Sequence, residues 1–435
     1  MAAGGARSAL LRPGVAWREL WAWAMFDFAN SGYTTVVITA IFNAYFVAVV
    51  AAGAVWATFA WTAALAISYA LILLTAPLIG AHADLHGKKG WLLLATAGCV
   101  LGTAGLALAG PGDLALALVF LVLSNLCFGS GENLIAAFLP ELARRESLGR
   151  VSGWGWGLGY LGGLAILAAC LAWIDHAQAQ GQGSADFVPI CMLITYGLFA
   201  LASAPTFLFL RDRAKASTPA AGLSAWQRVR ATLRHATHFR DMRRFMLCIL
   251  FYQAGIQTVI ALAAIYAQQA MGFSTRETIE LIFVVNVTAA LGALLFGHLQ
   301  DRIGHIRALA LTLVGWIAMT LIAWSAQSTT YFWLAANLAG LCLGASQSAG
   351  RALIGLLAPE NRHGEFFGLW GLAVKLSSIL GPLTYGVVTW ITAGDHRLAI
   401  LVTGLYFVIG LVILAGVDVE RGCRAAKSAS TDFRE

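Results

Sequence analysis

Charge is what this chain has least of: Lys, Arg, Asp and Glu make up 11% of its 435 residues, while apolar types make up 59% and mean hydropathy is +0.76. An average soluble domain carries roughly one-quarter charged residues, so a soluble globular protein is excluded. Cysteine pairing is absent too. The seven cysteines are scattered and no Cys-x-x-Cys occurs, which removes the spacing that zinc ribbons and dithiol redox sites need and leaves buried, small apolar residues as their role. No nucleophile sits beside a base and no set of metal ligands clusters, so neither an enzyme, a cofactor nor a metal is expected. The alternation His82, Asp84, His86 has no further ligand nearby. Long polar stretches are missing except at 211–244, and the first apolar run, about 30 residues long, has no small-residue cleavage site, so it reads as a retained span rather than a signal peptide.

What remains is a polytopic membrane protein. Runs of about 20 apolar residues are long enough to cross a bilayer, and they number six between Trp21 and Leu210 and six between Phe245 and Val417. Lys and Arg test that count, because they collect in cytoplasmic loops. With both termini inside, 24 of the 28 fall on the cytoplasmic side, whereas Arg276 and Arg397 lie outside and Arg351 and Lys375 within spans. The net charge of +7 is therefore orientation charge beside anionic lipid, with no basic patch for nucleic acid. The expected organisation is a bundle over 1–210, a basic cytoplasmic linker over 211–244, a second bundle over 245–417 and a cytoplasmic tail over 418–435. In the linker, Ser224 would cap a helix lying on the membrane surface, with Trp226, Val229 and Leu233 on one side.

One pattern occurs twice. Gly80, Asp84 and Gly87 recur as Gly297, Asp301 and Gly304, each 217 residues on, half the chain length, as two copies of one module would give. Both copies end an apolar run. Asp301 is followed by Arg302, whereas the first copy has Leu85 at that place. An aspartate at such a position gains from the amide end of a neighbouring helix, enough to bias a conformational equilibrium. In the fifth span, Gly155, Gly159 and Gly163 form a stripe for close packing, flanked by Trp154, Trp156 and Tyr160. Pro382 is expected to kink the eleventh.

Four charges lie inside spans, where they are costly and functional by default: Asp27, Glu132, Arg351 and Lys375. Counted from the cytoplasmic ends they lie about 9 to 15 Å deep, so all four fall near one layer. Asn30 and Gln347 share faces with Asp27 and Arg351, Asn125 lies two turns from Glu132, and Gln253, Gln257 and Asn286 extend the polar set. The layer reads either as a solute and proton site or as a salt-bridge gate without ligand contact.

The repeated Gly-x-x-x-Asp-x-x-Gly resembles the loop signature of the major facilitator superfamily. The run Phe26-Asp27-Phe28-Ala29-Asn30-Ser31 resembles the opening of the vacuolar amino-acid effluxers linked to autophagy and their bacterial relatives. Ala137-Phe138-Leu139-Pro140-Glu141, Gly255-Ile256-Gln257-Thr258-Val259 and Glu365-Phe366-Phe367-Gly368 agree with it. The resemblance implies an all-α fold of twelve transmembrane helices in two pseudo-symmetric six-helix bundles, with helices 1, 4, 7 and 10 lining a cavity. Asp27, Asn30, Glu132, Gln257, Gln347, Arg351 and Lys375 are then the site candidates, and Gly80, Asp84, Gly87, Gly297, Asp301, Arg302 and Gly304 form the conformational gate. One departure stands out, since the acid expected before the glycine of helix 7 is Ala254.

The expected activity is secondary transport by alternating access of a small polar or zwitterionic solute, an amino acid or short peptide, as efflux with a proton as coupling ion. The expected setting is the inner membrane of a bacterium, with the chain monomeric among membrane lipids. The rivals are a non-transporting sensor or scaffold on the same fold and a lipid or drug exporter.

Overall fold

The computed structural model describes residues 10–54, 56–213, 239–360 and 362–432. The surface helix expected at Ser224 lies outside them. Among the described residues the architecture is almost entirely helical, with twelve long helices in two sets of six. In the first half these are α1 (Trp17–Tyr33), α2 (Ala57–His86), α3 (Lys88–Leu106), α4 (Leu114–Ala136), α5 (Leu148–Ala179) and α6 (Ser184–Phe209). In the second they are α7 (Arg240–Met271), α8 (Thr275–Ile303), α9 (His305–Ser325), α10 (Thr329–Leu357), α11 (His363–Ile391) and α12 (His396–Ala415). Beyond Tyr33 the first helix continues with widened turns at Thr34–Ala40 and Phe46–Val50, so that one apolar stretch runs from Trp17 to Val50. The last described residues fold into a further helix, α13 (Val419–Asp432), where sequence pattern had given only a tail.

Eleven of these helices are long and apolar enough to cross a membrane. The exception, α10, is 29 residues long, but Asn337, Ser346, Gln347, Ser348 and Arg351 lower its hydropathy. It is also the helix most enclosed by its neighbours: every residue from Cys342 to Leu357 is buried, so its polar groups meet protein rather than lipid. The second half begins at Arg240, five residues before the boundary set by apolar content, because Asp241 and the arginines around it belong to the first turns of α7. α11 runs without interruption through Pro382.

Local signals explain the helix ends. Ser274 caps α8: its backbone N–H and hydroxyl both donate to Glu277 Oε2 at 2.8 Å, and the Glu277 N–H donates back to Ser274 Oγ at 3.3 Å. This reciprocal cap holds the Glu277 carboxyl below its ordinary range. Gly87 and Gly304 end α2 and α8 at φ 98° and 92°, a region that glycine enters without steric penalty.

Each half ties its first helix to the segment after its sixth. Glu19, buried at the start of α1, accepts from Arg213 at 2.7 Å. Asp241, buried at the start of α7, accepts from Arg421 through two bonds of 2.7 and 2.6 Å and from the Asp418 N–H at 3.0 Å. The Asp241 carboxylate holds the Arg421 guanidinium above its ordinary value. Both clasps sit at the end where the repeated motifs lie.

Candidate functional site

The repeated motif builds a double lock between the halves. Asp84, buried at the end of α2, accepts from the Gly364 and Glu365 N–H groups, both at 2.9 Å, at the start of α11. Asp301, at the end of α8, accepts from the Gly149 and Arg150 N–H groups at 3.0 and 3.1 Å, at the start of α5. Each aspartate thus neutralises the exposed amide end of a helix in the opposite half. The glycines let the backbones meet: a Cβ on Gly80 would strike the Gly364 carbonyl, and one on Gly297 would come within 3.0 Å of the Gly149 carbonyl.

The cations around the two locks differ from the motif pattern. Arg302 is exposed and stands outside the lock, and Arg150 takes its place 3.7 Å from Asp301. In the first copy Lys88 fills that role at 3.4 Å from Asp84 and is itself fixed by Glu141 at 2.5 Å, with Lys88 and Asp84 both 1% exposed. Sequence reasoning counted Lys88 as loop charge and quoted Glu141 only as part of a shared stretch. Asp84 and Lys88 are four positions apart but stand on either side of the Gly87 break, at the end of α2 and the start of α3, so no helical spacing pointed to the pair. His82 and His86 turn away from this lock: their rings stack at 4.0 Å, and Trp91 donates to His82 at 3.0 Å.

Deeper in the molecule the four intramembrane charges resolve into two pairs, each with its acid on the first half and its base on the second. Arg351 Nη1 donates to Asp27 Oδ2 at 2.6 Å, its Nε to Ser152 Oγ at 3.2 Å and its Nη2 to the Ser152 carbonyl at 2.9 Å. The guanidinium also lies 4.8 Å from the Trp23 ring and 5.3 Å from that of Trp156. Gly155 makes room for the pair, since a Cβ there would strike Arg351 Nη2 and Asp27 Oδ2. The glycine stripe of α5 therefore packs on α1 and leaves space for the charges. The second pair is looser. Lys375 Nζ lies 3.5 Å from Glu132 Oε2, and the glutamate side chain is 25% exposed against 12% for Asp27. Tyr69 and Phe128 rings flank the ammonium at 5.4 and 5.7 Å.

The polar candidates divide. Gln347 accepts from Gln253 at 2.7 Å and Asn125 donates to Ser68 at 2.5 Å, so both pair within their own half. Asn30 is buried, Gln257 is half-exposed, and Asn286 bonds back to the Ile282 carbonyl. Ala254 is buried; its carbonyl accepts from Thr258 at 2.7 Å, and a Cβ on Gly381 would strike that carbonyl.

All of these contacts between halves lie in the loop-end portion of the molecule. α2 meets α11 from Gly80 up to Tyr69 and Lys375, and α5 meets α8 from Gly149 up to Gly157 against Leu294. Two six-helix halves, closed together at one end by a symmetric pair of aspartate locks and bridged by opposite charges inside, define a transporter of the major facilitator type. Solved structures of that class share the fold. The human organic anion transporter MFSD10 aligns with a TM-score of 0.72 at 16% identity over 91% of this chain and 99% of its own. The E. coli fucose:proton symporter FucP aligns at 0.70 and 15% over 92% and 98%, and a bacterial homologue of ferroportin in an outward-facing state at 0.69 and 16% over 92% and 99%. The sequence model of the family described as vacuole effluxer Atg22 like matches residues 49–427, and the chain belongs to that family. An MFS-type transporter of Bacillus subtilis, YxiO, is 29% identical over 92% of this chain and 94% of its own length. Autophagy-related protein 22 of Kluyveromyces lactis is 28% identical over 47% of this chain, and the match spans 44% of that longer protein.

Proposed function

We infer that this chain exports a small zwitterionic solute, an amino acid or short peptide, from a bacterial cell across the inner membrane, by rocking its halves about the central charges with a proton as coupling ion. The observation that carries this reading is the contrast between the two ion pairs. Arg351 is firmly held, with each guanidinium nitrogen making one hydrogen bond and indole rings of two helices close by, which suits a latch. Glu132 and Lys375 keep a longer contact and a partly exposed carboxylate, so they offer both signs to a solute that carries both. Taking the motif loops as cytoplasmic, from the distribution of Lys and Arg, the halves are closed toward the cytoplasm and both termini lie inside. With Ala254 where helix 7 of related proteins is expected to carry an acid, Glu132 is the carboxylate left to take up the proton, and Asp27 stands second.

Flux in proteoliposomes tests this. Glu132→Gln is expected to abolish accumulation driven by a pH gradient. Gradient-driven flux that survives in both Glu132→Gln and Asp27→Asn would remove the proton from the mechanism.

A further inference from the structure

Both intramembrane cations of the second half are plugged into sockets of the same make on the first half, each an acid with two aromatic rings. Asp27, Trp23 and Trp156 receive Arg351; Glu132, Tyr69 and Phe128 receive Lys375. A carboxylate beside aromatic faces is the chemistry that binds an ammonium group. The Glu132 socket is braced by contacts within the first half. Phe128 and Glu132 stand one turn apart on α4, and Phe128 is stacked on Tyr33 at 5.0 Å, whose hydroxyl is bonded to Ser124 at 2.8 Å. Gly129 packs against Ile72, which a Cβ there would strike, and lies in ordinary contact range of the lysine stem.

We propose that the socket formed by Glu132, Tyr69 and Phe128 is the binding site for the ammonium group of the transported solute, and that Lys375 is a built-in stand-in for that group. This rests on the transport reading above and assigns the solute's ammonium group its partner. When the solute is absent, the Lys375 ammonium keeps Glu132 paired. A solute amine and Lys375 cannot share the single exposed carboxylate at one time, so solute binding drives the lysine, and α11 with it, out of the first half. Binding and rocking are thereby coupled through competition for one site. The Arg351 socket does not serve, because its cation is held by three hydrogen bonds against the one long contact of Lys375, and its acid is half as exposed.

The test uses the purified full chain in lipid nanodiscs, with binding read by tryptophan fluorescence. The probes are a panel of amino acids, their carboxamides, which keep only the ammonium, and their deaminated acids, which keep only the carboxylate. Lys375→Met vacates the socket without losing side-chain bulk, so amino acids and carboxamides are expected to bind about tenfold tighter or better, whereas the deaminated acids do not gain. Glu132→Gln is expected to lose the carboxamides altogether. Tyr69→Leu leaves both charges in place and is expected to weaken carboxamide binding several-fold, which keeps a readout should Lys375→Met fail to fold. Carboxamide binding unchanged or weakened in Lys375→Met, or unchanged in Tyr69→Leu, overturns the proposal. So does robust flux of a solute without an amine, although transport itself would then stand. Failure of every solute to cross, with tight carboxamide binding in Lys375→Met, would instead sink the transport reading and leave the amine socket in place.

Discussion

Arg351 commits donors to a carboxylate across the halves and to both oxygens of Ser152, and in an almost fully buried side chain each of those bonds replaces one to water. Asp27→Asn would leave the guanidinium buried without its counter-charge, a change that costs about 3–5 kcal/mol where one partner of a buried pair is removed. Glu132→Gln breaks a contact that is longer and a quarter open to solvent on the acid side, and the loss there is expected to be about 1 kcal/mol or less once screening is allowed for. Thermal unfolding in detergent should therefore show a much larger drop in midpoint for Asp27→Asn than for Glu132→Gln. The reverse order would make Asp27 and Arg351 the exchangeable pair and remove the latch. Sequence analysis placed these four charges near one depth because an ionisable residue within an apolar run is conspicuous. It did not assign partners, since Asp27 and Arg351 are 324 positions apart and only packing decides which base each acid meets. Trp23 and Trp156 were equally opaque, as an aromatic in a span looks the same facing lipid or a cation.

Helices α5 and α11 are held at their amide ends by aspartates from α8 and α2, so the two locks are matched in geometry but not in strength. Asp84 has Lys88 beside it in a site closed to solvent, whereas the Arg150 side chain near Asp301 is 29% exposed and 3.7 Å away. Neutralising either carboxylate removes a charge–dipole interaction worth up to about 2 kcal/mol and favours the state in which the loop end parts. Asp84→Asn should do so more than Asp301→Asn, because it also leaves Lys88 with Glu141 alone. Spin labels at Glu146 and Glu360, both exposed and on opposite halves, would report the shift as a growing population of long distances. Equal shifts from the two variants would mean that Lys88 adds nothing. At this level the sequence was informative: hydropathy and the 217-residue repeat gave twelve spans and both aspartates, because lipid and helix geometry leave few alternatives. It failed where a residue lay just outside an apolar run. Glu19 and Arg213, and Asp241 and Arg421, read as loop charges until folding closed each half on itself.

Alternating access requires the two halves to separate where they now meet, and the chain offers a place to forbid that without touching the buried machinery. Arg12, ahead of α1, and Glu360, between α10 and α11, form an ion pair of 3.1 Å at the loop end, with side chains 40% and 70% exposed. An exposed pair of this kind contributes about 0–1 kcal/mol, so replacing both residues by cysteine is expected to leave flux close to that of the parent. Bridging the two thiols with a short, reducible cross-linker then ties the halves together at their closed end. If transport proceeds by rocking, cross-linking should stop net flux while solute still binds from the open side, and a reductant should restore it. Binding separates this outcome from unfolding, because a denatured chain loses both activities and does not recover them on reduction. Flux that continues through the cross-linked protein would mean that solute crosses without the aspartate locks opening, and the double lock would then be a structural brace rather than a gate.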